Sequence, residues 1–316
     1  MTSLDSLSIL LLYSAMSIYA FSFVTFAVDL AGRRTRILKA SKVLVSASAN
    51  GTYRDAEDRE SPPAHSRMGR IGLALLVLGW LLHLGATVLR GVDAGRLPWA
   101  NMYEFSLTGT LVIIAVYLGL LVRLELRYLG TFVTGLMLIL LGIAAVRYYV
   151  PVAPLQPALQ SYWLIIHVFV ALVATGFFAI GAALSVTQLL HGRTRSRQRP
   201  QLRGLSAMLR GLPSADQLET LAYRINLVGF ILWTFTLIAG AIWAEAAWGR
   251  YWGWDTKEVW TFIVWVLYAG YIHARATRGW QGTRSALLGL TGFAAVLFNF
   301  GVVNVFFNGL HSYSGL

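Results

Sequence analysis

Eight stretches of the chain are mainly apolar and long enough to cross a membrane as helices. They lie at about 7–29, 70–90, 102–122, 129–149, 164–190, 224–243, 257–275 and 286–307. A spanning helix needs roughly 20 such residues, so the pattern predicts an all-α, polytopic protein with eight transmembrane helices. Polar segments punctuate it: 31–69, rich in Ser, Ala and acidic residues with a Pro62-Pro63 pair; 191–223, basic; and 244–256, short and aromatic. Residues 1–316 then read as a single membrane domain. Three segments carry the spacing of a helix N-terminal cap. These are Asn101 with Glu104 before the third span, Ser214 with Gln217 opening the sixth early, and Asp255 with Glu258 before the seventh.

Composition agrees. The chain is 57% hydrophobic and 13% charged, against roughly 25% charged for a soluble domain. Its net charge of +12 invites a nucleic-acid reading, but the placement of the charges argues otherwise. No Lys or Arg precedes the first span, whereas Arg33, Arg34 and Arg36 follow it. It therefore reads as a true span and not a signal peptide, with the N-terminus outside. The connections 30–70, 123–128, 191–224 and 275–285 then become cytoplasmic and hold 21 of the 26 Lys and Arg. This bias accounts for the basic character without nucleic acid and places both termini on the external face. The two long cytoplasmic segments, 31–69 and 191–223, read as polar loops, the second attracted to anionic headgroups. With no cysteine, the chain has no disulfide, thiolate metal site or thiol redox chemistry of its own.

On that topology the aromatic segment is external. AEAAWGRYWGWDT places Trp248, Tyr251, Trp252 and Trp254 within seven residues, with Gly249 and Gly253 between them. Interfacial anchoring uses Trp and Tyr, but generally one or two per helix end. Trp248 and Trp252 are four apart, so a helical turn would put both on one face, with the glycines on an adjacent stripe where a flat ligand can approach the backbone. A planar macrocycle with an apolar body and polar edge suits such a surface. Asp255 reads first as a helix cap, with ligand contact as the alternative. Arg250 and Lys257 are among the few outer cations, and either can pair with a ligand carboxylate. The segment Pro98–Glu104 reads as a cap, with lining of the same external cavity as the alternative.

Histidines in or beside spans are functional candidates. His167 lies at the outer end of the fifth span and His311 just beyond the eighth, so both flank the Trp-rich loop from one side. Neutral imidazole ligates heme iron, and two such groups fill its axial positions. His273 lies near the cytoplasmic end of the seventh span, about 27 Å of helix from Asp255 at ~1.5 Å per residue. If it is a ligand, it therefore belongs to a second, inner site whose other ligand comes from elsewhere. His83, within the second span, reads as a hydrogen-bonded packing residue. His65 and His191 fall in polar loops.

The segment WGRYWGWD with Thr256-Lys257-Glu258 resembles the tryptophan-rich "WWD" signature of heme-handling proteins. The chain is most similar to the CcsA (ResC) family of system II cytochrome c biogenesis, also labelled CcsB, over nearly its whole length. PWANMYEF at 98–105 and YWLIIHVFVALVATG at 162–176 also look like family segments, while Thr256 stands where relatives often carry Pro. The resemblance implies a heme lyase (synthase) subunit acting with a ResB/Ccs1-type membrane partner in the cytoplasmic (plasma) membrane, its heme site on the external, periplasmic face. Heme b would be held by His167 and His311 beside Trp248, Tyr251, Trp252, Trp254 and Asp255. It would be joined by thioethers to a Cys-x-x-Cys-His apocytochrome kept reduced by thiol-reducing proteins upstream. His273 would meet heme deeper in the membrane with a partner histidine. Two other readings stay open: a heme transporter or chaperone without ligation activity, and a membrane diheme electron carrier.

Overall fold

The computed structural model describes residues 3–49, 66–153, 159–196, 212–307 and 309–310, and among them it contains helices and no strand. Eight long helices follow in order: α1 (Leu4–Ala49), α2 (Arg67–Ala94), α3 (Met102–Leu121), α4 (Gly130–Arg147), α5 (Tyr162–Ser196), α6 (Ala215–Trp248), α7 (Thr256–Arg278) and α8 (Thr283–Phe298). Seven of these are long and apolar enough to span a membrane, and the exception among the described residues is α7. Its 23 residues reach about 34 Å at ~1.5 Å each, so length is not what sets it apart. Trp260, Trp265, Tyr268, Tyr271 and His273 dilute its hydropathy with ring nitrogens and hydroxyls. Both α1 and α5 run on as helix into the polar segments that follow them, because no Pro interrupts either stretch.

The predicted caps set where helices begin. The Asn101 side chain accepts from Glu104 N–H at 2.9 Å and opens α3. Ser214 and Gln217 form a reciprocal capping box ahead of α6, and Asp255 and Glu258 form another ahead of α7. Each satisfies backbone donors that a helix start would otherwise leave unpaired.

The helices pack as two groups bridged by α3. On one side α1 lies along α2 and touches α4; on the other α5 lies along α6 and touches α8, which also packs on α7. α3 contacts both α4 and α5. The first group buries Tyr19, Phe26, Leu76 and Met137, and the second buries Phe178, Val264 and Tyr268. Phe178 and Tyr268 stack with centroids 3.7 Å apart and planes within 8°, which ties α5 to α7. Buried ion pairs close both ends of the bundle. At the end carrying the Trp-rich loop, Arg90 pairs with Asp5 and Glu104 at 2.8 and 3.1 Å. At the opposite end Arg275 pairs with Glu219 at 2.5 Å, while Gln188 and the Gly282 N–H hold the other Glu219 oxygen.

Candidate functional site

The Trp-rich loop is shaped by its two flanking helices. α6 stops at Trp248 because Gly249 adopts the left-handed conformation (φ 69°) that ends a helix. Trp248 and Trp252 therefore do not share a helical turn, contrary to the expectation from their spacing. Trp248 turns inward to meet Trp243 at 4.8 Å. Trp252 stays in the loop, edge-on to Trp254 at 5.8 Å and to Phe262 at 6.3 Å. The glycine that read as an opening for a flat ligand is thus a helix terminator. Gly253 likewise makes room inside the protein, since a Cβ there would lie 1.2 Å from Arg250 Nη1. Trp254 has a positive φ of 60°, a conformation uncommon outside glycine, and the residue is 78% exposed. Tyr251 is exposed beside it.

Carboxylates hold this loop in place. Glu258 Oε2 accepts from Gly253 N–H at 2.8 Å and Asp255 N–H at 3.1 Å. Asp255 Oδ1 accepts from Lys257 N–H at 2.9 Å, as a capping residue should. Its Oδ2 accepts from Leu310 N–H at 2.8 Å. Asp255 is therefore a cap that also ties the loop to the residue immediately before His311. His311 itself, like His65, lies outside the described residues.

His167 enters from α5 at the same end. Its Nδ1 lies 2.9 Å from the Thr236 carbonyl of α6. A carbonyl can only accept, so Nδ1 carries the hydrogen, and in a neutral imidazole so oriented the lone pair falls on Nε2. The imidazole stacks on Trp243 at 5.9 Å with planes within 17°. Gly240 makes the approach possible, because a Cβ there would lie 2.7 Å from His167 Cε1. These contacts fix both the tautomer and the ring plane.

Two adjoining cavities meet at this histidine. The larger holds about 1320 Å³ of atom-free space, mouth included, behind largely apolar walls from α3, α5, α6 and α8. The smaller, about 500 Å³, lies under Tyr251 and Trp252. His167, Thr236, Trp243, Lys257 and Thr261 line both. The shared residues make the two cavities one continuous, largely apolar and aromatic site. Lys257 Nζ donates to the Asn299 carbonyl and to Asn304 Oδ1, each at 2.8 Å. Asn299 opens a π-helical turn, Asn299–Val303, a distortion frequent at functional sites.

The other singled-out residues fall elsewhere. His273 is exposed on the flank of α7 and lines neither cavity. From Lys257 it is about 24 Å along the helix at ~1.5 Å per residue. His83 is buried between the Tyr19 hydroxyl at Nδ1 (3.3 Å) and the Leu107 carbonyl at Nε2 (3.0 Å), a packing residue with both nitrogens engaged. Trp99, Asn101, Met102 and Phe105 line the larger cavity, so the 98–105 segment both caps α3 and walls the site. Sequence reasoning missed Trp243, Gly240 and Thr236, which seat the imidazole, and Asn299 and Asn304, which hold Lys257. Trp243 was legible as a further aromatic at the end of α6. The rest carry no local signal, since their roles come from contacts between helices.

Fold and site together define a multi-span, all-helical membrane protein with an aromatic cavity at one end of its bundle. Residues 99–311 match the family described as Cytochrome C assembly protein. The chain is 39% identical over 249 residues to the cytochrome c biogenesis protein CcsA of Prochlorococcus marinus (strain MIT 9515), covering 72% of this chain and 78% of that one. It is 32% identical over 308 residues to the CcsA of Picosynechococcus sp., covering 79% and 89%. This protein belongs to the CcsA family of cytochrome c biogenesis proteins. Among solved structures the fold is similar to the cytochrome c heme lyase CcmF, with TM-score 0.62, 17% identity and 95% of this chain covered. The chain spans 47% of that larger protein.

Proposed function

We propose that this protein holds heme b at the Trp-rich end of the bundle and presents it for thioether attachment to a Cys-x-x-Cys-His apocytochrome. It would act as a heme lyase subunit with a ResB/Ccs1-type partner. The observation that carries the reading is His167, oriented by Thr236 and Trp243 and lining both cavities beside the Trp-rich loop. The chemistry of the site fits the group: an imidazole with its Nε2 lone pair set for iron, aromatic walls for the porphyrin and a Gly240 cradle where a side chain would block the ring. His311 would supply the second axial ligand. The Asp255–Leu310 hydrogen bond draws the neighbouring residue to the loop and supports that assignment. The charge bias of the sequence would place this end outside, on the periplasmic face of the cytoplasmic membrane.

In the reaction each cysteine S–H adds across a heme vinyl group: the sulfur bonds to one vinyl carbon and the hydrogen to the other, with no net oxidation. This chain's contribution is positioning. Tyr251, Trp252 and Trp254 would fix the porphyrin plane and the histidines its iron, leaving the vinyl edge to the incoming peptide. Exposure of His273 on the flank of α7 supports a separate inner contact shared with the partner subunit.

Co-expression with a ResB-type partner and a Cys-x-x-Cys-His reporter, in a host lacking its own maturation system, tests this. Covalent heme on the reporter should fall to background with His167→Ala or His311→Ala. Wild-type levels in those variants would refute the ligand assignment. Heme bound by the wild-type pair without any thioether product would favour the transporter reading.

A further inference from the structure

Among the described residues that line the two cavities, Lys257 is the one cation. Its ammonium makes two hydrogen bonds, and both go to uncharged oxygens, the Asn299 carbonyl and Asn304 Oδ1. An ammonium has three N–H donors, and a charge out of water is costly without an anion. Asp255 lies close enough to act on this charge through space, but the hydrogen bonds of the two carboxylates that flank Lys257 in sequence go to backbone N–H groups. Asp255 receives the Lys257 and Leu310 backbone N–H groups, and Glu258 Oε2 receives those of Gly253 and Asp255.

Of the other cations at this end, Arg147 is exposed and lines neither cavity, and three more are held by their own contacts. Arg250 folds back over Gly253, its Nη1 occupying the space of the missing side chain. Arg90 and Arg96 share Glu104, and Arg96 pairs with it at 2.6 Å. Lys257 instead stands at the junction of both cavities, and the carbonyl and amide that hold it come from the π-helical turn and the residue after it. A lysine hydrogen-bonded by neutral groups in the wall of an apolar, aromatic cavity is placed to receive a carboxylate from the ligand that fills it.

We infer that Lys257, and not Arg250, is the anchor for a carboxylate of the bound macrocycle, which for heme is a propionate. This rests on the heme reading above and adds to it a recognition element for the polar edge. It makes Lys257 the residue that sets which edge of the ring faces into the protein and which faces the incoming peptide.

The test compares heme with its dimethyl ester, in which both carboxylates are blocked, by Soret-monitored titration of the full-length protein purified with its partner. Wild type should bind the free acid about 10-fold or more tightly than the diester, the gain of one charge-assisted hydrogen bond. Lys257→Met and Lys257→Gln should bind both forms equally, at the diester level. Lys257→Arg should retain a preference, and Arg250→Gln should not alter it. Equal wild-type affinity for the two forms, or a full preference surviving in Lys257→Gln, overturns the inference; the first of these needs no variant to fold. Heme binding that is indifferent to His167→Ala would instead overturn the underlying heme reading, and this inference with it.

Discussion

Arg90, buried, and Lys257, half-buried, are two cations at the same end of the bundle, and they are treated in opposite ways. Arg90 is fully buried and surrounded by acceptors from the chain itself: Asp5 of α1, Glu104 of α3 and the Val150 carbonyl after α4. Tyr103 and Tyr149 add ring faces at 5.3 and 5.9 Å. Nothing remains for a ligand to contribute. Lys257 sits at a cavity wall, hydrogen-bonded only to neutral oxygens, with Asp255 acting on it through space. A charge hydrogen-bonded by carboxylates of its own fold closes a structure, whereas one hydrogen-bonded only by neutral groups beside an open cavity leaves a place for a ligand carboxylate.

Breaking the first arrangement should have the largest effect. Arg90→Met leaves Glu104 to Arg96 alone and Asp5 to the Tyr149 hydroxyl, and loss of one partner of a buried pair costs up to about 3–5 kcal/mol. Unfolding of the detergent-solubilised protein should shift accordingly, and an unchanged melting temperature would remove the distinction drawn here. Lys257→Met should cost much less. It removes the desolvation cost of one charge but leaves the Asn299 carbonyl and Asn304 Oδ1 without their donor, so the two effects oppose. Its melting temperature should therefore shift far less than that of Arg90→Met while the preference for free-acid heme disappears.

Asp255 sharpens the comparison because it serves both structure and site. Asp255→Ala should cost about 1 kcal/mol through the lost cap. It should also release Leu310, seen as faster exchange of the Leu310 backbone amide. Normal protection there would show that the Asp255–Leu310 bond does not position His311. The smallest effect is expected at Trp254. Exposed as it is, Trp254→Ala should change stability within about 0.5 kcal/mol, yet weaken heme capture measured by Soret titration. A large loss of stability would assign the ring to packing instead.

Much of the fold was legible because membrane-spanning helices announce themselves by length and apolarity. The three caps were legible for the same local reason, as Ser214–Gln217 and Asp255–Glu258 show. The site was only partly so. Trp252, Trp254 and His167 could be nominated from type and placement. The shared face for Trp248 and Trp252 was misread, because spacing alone does not reveal that Gly249 ends the helix between them. Gly240, Thr236 and Asn299 were invisible for another reason: each matters through a contact across helices, with His167 or Lys257, that no local pattern encodes. α7 shows the limit of hydropathy itself, since its rings and hydroxyls lower the score of a helix with ample length.

The central claim is that His167 holds heme iron at the Trp-rich end. Absorption and electron paramagnetic resonance spectra of the heme-loaded, full-length protein, recorded with His167→Gly and with and without added imidazole, test it most directly. The account predicts a low-spin, two-histidine spectrum in wild type, its loss in His167→Gly and its return when imidazole fills the space. A low-spin spectrum that persists unchanged in His167→Gly without imidazole would contradict it.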